Sequence, residues 1–461
     1  MGYLTITLVG VIILYALLKC LTILKTVPDE YLQQQSYVDA TRLPNESAIH
    51  KSIKKPMLRV GLDIRYDQYK LRSGNLQDVW SIVINSLHSD QNKGIAIDGD
   101  KMVTFGYINY CIREWKRRQA ADPVTAINIP VDHKVDARFV VAVLIGFVLQ
   151  IPVQLYQGRK NPVSTARDEV DLTEMDLPGG GNDFVFENVY SPAKDKGIAL
   201  RFVKQVRPGI DVLVEYTQLN IISAVASSIK HLPYNFDASR KSITIVPHSS
   251  IEGTMDLLVK LLMAFVVDMN VHINYDPDFS TDITSLPDSA IYRQHQQQLH
   301  NSSNWLRLRL RLRQVAYNHG IFKSAKLIYV QSQLSKPGLT SQQRNQLAVS
   351  HDSHVIQEYQ LFNVMGPVLL TDMFEHRTYG AHFGQIAQSL EMKLVNVDTG
   401  SGGVGNVMIR GYTIGKSTHY INGEVAPSDH AGQYEKKDDG FMPLPSGIRG
   451  KFGTDGCLYL S

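Results

Sequence analysis

"VTAINIPVDHKVDARFVVAVLIGFVLQIPVQLYQ", residues 124 to 157, reads as strand, helix, strand. The flanking runs 124–130 and 151–157 are short and rich in residues that favour strands, and the apolar stretch 138–150 lies between them. Strands joined by a crossing helix lie parallel, because an antiparallel pair needs only a tight turn. A second copy follows in strand 242–248, helix 254–268 and strand 270–275. A third strand-like run, 325–332, precedes the polar helix candidate "SQQRNQLAV". The pattern predicts an α/β protein built of parallel-sheet βαβ subdomains over 61–390. Short strands and turns over 391–461 predict a small β-rich terminal lobe. The apolar run 138–150 is too short for a membrane span, which needs about 20 residues.

The N-terminus has a different character. Tyr3–Leu24 is apolar except for Lys19, and its length suits a bilayer. A cleaved signal peptide would carry basic residues ahead of a shorter apolar run, then a small-residue cleavage site. Neither is evident, so residues 3–24 are expected to form one uncleaved transmembrane helix, with a signal peptide or a buried core helix as alternatives. Lys19 and Lys25 lie on its C-terminal flank, which places the body in the cytosol by the positive-inside rule. Two sequons, Asn45-Glu-Ser47 and Asn301-Ser-Ser303, would accept glycan only if that body were lumenal. Residues 25–60 are polar and read as a linker.

Composition narrows the function. The 461 residues carry a net charge of +3, too slight to argue for nucleic acid. The three cysteines, Cys20, Cys111 and Cys457, are scattered, which excludes a disulfide framework or a Cys-rich zinc site and fits a reducing compartment. "HDSH" (351–354) offers two histidines and no third ligand nearby, so no metal is expected. "PGGGND" (178–183) lacks a following helix and reads as a surface loop, and His248 reads as a boundary residue. "LRLRLRLR" (306–313) alternates with the period of a strand. Arg307, Arg309, Arg311 and Arg313 would then share one face, either solvated on an edge strand or turned to anionic lipid headgroups. No catalytic constellation emerges from the residues alone.

The order of segments from about residue 75 onward resembles the large N-terminal domain of adenylate-forming enzymes, the acyl-CoA synthetase and AMP-binding superfamily. "KMVTFGYINYCIREW" (101–115) resembles that family's opening strand and helix, and 124–155 its first βαβ unit. "VEYTQLNIISAVASSIK" (214–230) is similar to the helix after its phosphate loop, and "ITIVPHSSIEGTMDLLVKLLMAF" (243–265) to the strand and helix beyond. The best stretch is "HFGQIAQSLEMKLVNVDTGSGGVGNVMIRGYTIGKSTHYIN" (382–422), and "FGTDGCLYLS" (452–461) resembles the strand that ends the large domain. On this resemblance "GGVGNVMIRG" (402–411) is a structural turn and strand rather than a phosphate cradle.

The resemblance also implies what has been lost. The family's phosphate loop, rich in Thr, Ser and Gly and ending in Pro-Lys-Gly, falls where this chain reads "RFVKQVRPGIDVLVEYTQ" (201–218). Gly209 survives, Asp211 stands about where the lysine belongs, and Lys204 and Arg207 keep some attraction for an anion. In "EYQLFN" (358–363) Tyr359 matches the adenine-stacking aromatic, and Asn363 replaces the glutamate that holds magnesium. In "PLPSG" (443–447) Ser446 replaces the ribose-binding aspartate. The chain ends at Ser461, before the family's small domain with its catalytic lysine. Each loss should cost orders of magnitude in rate.

The expected protein is a membrane-anchored pseudoenzyme without cofactor, resembling a fatty acyl-CoA synthetase. Its role would be scaffold, regulator or lipid- or acyl-binding protein in lipid metabolism, with membrane lipid, a protein partner and an acyl ligand as partners. The expected location is the endoplasmic reticulum membrane or the lipid-droplet surface. An acyl-activating enzyme completed by another chain would bind ATP, and an unrelated membrane-tethered interaction module would show a different sheet order.

Overall fold

Ile127 opposes Val153 and Ile129 opposes Leu155 across two parallel strands, Ala126–Pro130 and Val153–Tyr156, the pairing predicted over 124–157. The computed structural model describes the chain apart from residues 1, 24–33, 41–42, 54–57, 66–70, 100, 158–167, 189–194, 234–235, 237–240, 296–325, 337, 376–382, 399–401, 422–423, 426–438, 445–446 and 461. Among the described residues the helices are α1 (Gly2–Ile23), α2 (Leu76–Ser86), α3 (Phe105–Ala121), α4 (Ala137–Leu149), α5 (Gln218–His231), α6 (Ile251–Val266), α7 (Asp288–His295) and α8 (Ser341–Ser350).

Two large sheets organise the body. The first has sixteen strands. At its centre Gly94–Ile97, Asn270–Ile273, Ser242–Ile245, Ile283–Pro287, Lys326–Gln333 and Ser353–Gln360 run parallel in that spatial order. The second βαβ unit of the sequence is thus present, with Ile243 opposite Val271. Beyond Gln360 the sheet turns antiparallel through Pro367–Leu370 and Phe383–Ile386 and continues into the terminal β-rich segment. The second sheet has seven strands and contains the 124–157 unit.

The helices start where local chemistry can satisfy their first N–H groups. Asp136 caps α4 by accepting from Phe139 N, and Ser250 caps α6 by accepting from Gly253 N. Asn75 with Asp78, and Thr217 with Asn220, form reciprocal capping boxes on α2 and α5. Residues 139–148 of α4 are buried without interruption, which accounts for its apolar run without a bilayer. Trp80 of α2, Phe105 of α3 and Phe265 of α6 meet edge to face, with centroids 5.3 to 6.4 Å apart.

Two expectations change in detail. The stretch read as a linker contributes two strands, Ser36–Val38 and His50–Ser52, and His50 and Lys51 pair with Met392 and Glu391. Lys51 also reaches Asp39 at 3.1 Å and Glu391 at 3.4 Å, which ties the segment to the body electrostatically. The expected span over 3–24 coincides with helix α1. Among the described residues, however, no helix is long and apolar enough to cross a membrane, so the transmembrane part of the expected architecture lacks structural support.

The "GGVGNVMIRG" stretch behaves as read: Gly402 and Gly403 take positive φ and lead into the strand Val404–Gly411. The Arg307–Arg313 stripe lies outside the described residues. "HDSH" is not helical: His351 caps α8 and stacks on Phe279 at 3.8 Å, while His354 sits in a strand with Nδ1 3.1 Å from the Met373 carbonyl.

Candidate functional site

Ligand crevices in open parallel sheets lie outside the carboxyl ends of the strands. Here those ends bring together His248, Asp288, Gln333 and the loop 361–363. Lys204 reaches them from the second sheet. Its Nζ lies 3.0 Å from Glu252 Oε1, in the first turn of α6, and 5.1 Å from the centre of the Phe362 ring. The other Glu252 oxygen accepts from Gln333 Nε2 at 3.2 Å. The Tyr216 hydroxyl donates to the Phe362 carbonyl at 2.6 Å and holds the loop from below. Burial pushes that hydroxyl's pKa well up, so it stays a donor.

Beneath this layer lies a second, fully enclosed one. Lys260 Nζ bonds Glu358 Oε1 at 2.7 Å and sits 3.8 Å from the centre of the Tyr329 ring. Asp256, one turn before Lys260, accepts from Ser285 Oγ at 3.0 Å, from Gln360 Nε2 at 3.0 Å and from Gln331. Burial, reinforced by the neighbouring Glu358, raises the Asp256 carboxyl to about 7, and Lys260 opposes the rise. The side chains of Asp256, Lys260 and Glu358 are each 2% exposed or less. A charged cluster this deep is held only by mutual pairing.

The candidate residues named from sequence fall in three groups. Lys204, Tyr359 and Asn363 converge on the strand ends: Tyr359 is buried in the strand Ser353–Gln360, and Asn363 is fully buried in the loop that follows it. Neither amide atom of the Asn363 side chain has a hydrogen-bond partner among the described residues. Arg207, Gly209 and Asp211 belong instead to a hairpin. The strands Ile198–Arg207 and Ile210–Thr217 pair with Arg207 opposite Ile210, so Pro208 and Gly209 alone make the turn. Gly209 has φ +74°, the left-handed conformation that glycine adopts freely. Arg207 is exposed, whereas Asp211 is buried with Gln205 and Tyr420 on its two flanks. Ser446 lies outside the described residues.

A two-residue turn offers no row of free amides to wrap a triphosphate. Lys204, the cation that reaches the strand ends from the second sheet, is already engaged by a carboxylate. Among the described residues no group of three or more His, Cys, Asp or Glu side chains could hold a metal ion. A magnesium nucleotide would therefore find at this hairpin no phosphate cradle of the kind the family resemblance implies.

Sequence reasoning passed over Glu252, Asp256 and Lys260. A signal was there: in "IEGTMDLLVKLL" these three charges recur every four residues on one stripe of an otherwise apolar helix. Glu358 carried no such mark, because its partner lies on a distant segment.

The fold defined by these sheets is that of the large domain of adenylate-forming acyl- and aryl-CoA synthetases. The N-terminal domain of FACL13 from Mycobacterium tuberculosis superposes with a TM-score of 0.58, covering 84% of this chain and 99% of that one at 12% identity. The o-succinylbenzoate CoA synthetase MenE of Bacillus subtilis, solved in complex with ATP and magnesium ion, gives 0.56 over 82% of this chain and 78% of its own, at 13% identity. MatB from Rhodopseudomonas palustris gives 0.58 over 84% and 78%, at 11% identity. No family model matches the sequence. The uncharacterised protein YHR045W of Saccharomyces cerevisiae is 31% identical over 134 residues, a match spanning 26% of this chain and 23% of that protein.

Proposed function

We propose that this protein is a membrane-anchored pseudoenzyme: an acyl-CoA-synthetase-like domain that serves as a scaffold, regulator or lipid-binding protein in lipid metabolism and does not activate acids. The observation that carries the reading is the pairing of Lys204 with Glu252 beside a hairpin closed by Pro208 and Gly209. Where a phosphate loop would lie there is a tight turn, and the nearby positive charge is spent on an internal carboxylate.

Support for the anchor comes from α1. Its described apolar side chains face outward, with Ile6 72%, Val11 60% and Leu14 58% exposed, far more contiguous apolar surface than water tolerates on a folded domain. Contact of α1 with the endoplasmic reticulum membrane, with the body cytosolic and access to lipid droplets, accounts for that surface.

Calorimetry on the full chain in lipid nanodiscs tests the central claim. Titration with Mg-ATP, with and without a long-chain fatty acid, is expected to give no saturable heat. Saturable magnesium-dependent binding would replace this reading with an acyl-activating enzyme completed by another chain.

A further inference from the structure

A second concavity lies away from the strand ends, against the outer helices of the other subdomain. It is a half-open cavity of about 520 Å³, within the size range of small-molecule sites. Its floor is apolar, made by Ile112 of α3, Val148 and Leu149 at the end of α4, and Phe186 from the segment 181–188. Val185, on the same segment, is 79% exposed at the mouth. Val185 thus extends the apolar floor to the mouth of the cavity.

The polar rim limits what that something can be. Arg113 is already committed: it pairs with Asp183 at 2.9 Å and lies over the Tyr110 ring at 5.4 Å. Gln77 donates to the Val148 carbonyl at 2.7 Å, and Gln119 closes a loop on Val124. That leaves Lys116 and Glu187, both exposed, both lining the cavity, and neither in an ion pair among the described residues. A fatty-acid anion would satisfy Lys116 but would press negative charge toward Glu187. An alkylamine would satisfy Glu187 and leave Lys116 alone. A headgroup bearing both charges satisfies the whole rim.

We infer that this groove binds a single-chain zwitterionic amphiphile, such as a lysophospholipid, with its chain on Ile112, Val148, Leu149 and Phe186 and its head between Lys116 and Glu187. The groove lies apart from the strand-end site, so the inference does not rest on the loss of nucleotide binding.

The test uses the full chain in nanodiscs and a lysophosphatidylcholine carrying a diazirine in its acyl chain. After irradiation, labelled peptides are expected to map to 109–120 and 183–188, and unlabelled lysophosphatidylcholine should compete. Val185→Trp, at a solvent-exposed position, should block the mouth and abolish labelling there without affecting the fold. Lys116→Glu and Glu187→Lys should each weaken competition by lysophosphatidylcholine about tenfold. The Glu187→Lys variant should instead favour a fatty-acid probe. Labelling that maps elsewhere, does not saturate, or survives Val185→Trp would overturn the site. Equal competition by fatty acid, alkylamine and lysophosphatidylcholine in the unmodified protein would overturn the zwitterionic assignment.

Discussion

Lys204 Nζ and Glu252 Oε1 stand 3.0 Å apart, one on a strand of the seven-stranded sheet and the other in the first turn of a helix on the sixteen-stranded sheet. The pair bridges the two sheets beside the hairpin closed by Pro208 and Gly209. Glu252 also lies near the positive end of the α6 dipole, so its charge is stabilised locally as well as by the lysine. Lys204→Met should therefore cost only about 1–2 kcal/mol in urea unfolding, since the remaining carboxylate keeps the Gln333 hydrogen bond and the helix end. Glu252→Gln removes the carboxylate that holds the lysine, yet on the proposed reading Mg-ATP binding should stay undetectable, because the tight turn at Pro208 and Gly209 is unchanged. Recovery of ATP binding by that single change would show that the ion pair alone shuts the site.

The Lys260–Glu358 pair is of another kind, with both side chains 2% exposed or less. Lys260→Met leaves Glu358 and Asp256 together without a cation and should destabilise by about 3–5 kcal/mol. The double change Lys260→Met with Glu358→Leu should recover much of that loss, because the two buried acids no longer face each other and Asp256, its pKa already raised by burial to about 7, can stay neutral within its hydrogen bonds from Ser285 and Gln360. If the double variant is as unstable as the single one, Lys260 matters for packing rather than for charge.

His50 provides a pH test of the N-terminal strands. Burial lowers its pKa to about 4, while its ring stacks on Phe452 at 3.5 Å and its Nδ1 lies 2.9 Å from Ser36 Oγ. The unfolded chain binds this proton near pH 6.5 and the folded chain does not, so stability is lost as pH falls from 6.5 toward 4. The loss attributable to this group approaches about 3 kcal/mol at the low end. In His50→Gln, unfolding midpoints over that pH window should fall less steeply than in the parent. Parallel slopes would mean that the ring is protonated in the folded state.

The hairpin closed by Pro208 and Gly209 depends on its glycine. Gly209 at φ +74° would be strained by any Cβ, and Gly209→Ala should cost about 1–2 kcal/mol by thermal unfolding. A neutral outcome would indicate that the turn relaxes to another type.

Much of this protein was legible in its sequence. The strand–helix–strand spacing over 124–157 and 242–275 pointed to parallel pairing, because a crossing helix returns the chain to the same end of the sheet, and the strands pair that way. That residues 201–218 are not rich in Thr, Ser and Gly could likewise be read directly, since composition over a short stretch is a local feature. Partnerships between distant segments could not. Lys260 and Glu358 are 98 residues apart, and Lys204 and Glu252 are 48 apart; only the register of the sheets and the packing of α6 on them bring each pair within contact. The same holds for the strands Ser36–Val38 and His50–Ser52, which lie in a stretch whose polarity suggests a linker but which extend the sheet from the strand Leu390–Asp398. Local pattern encodes periodicity and turn chemistry, whereas charge pairing in a core is decided by which surfaces the tertiary fold presses together.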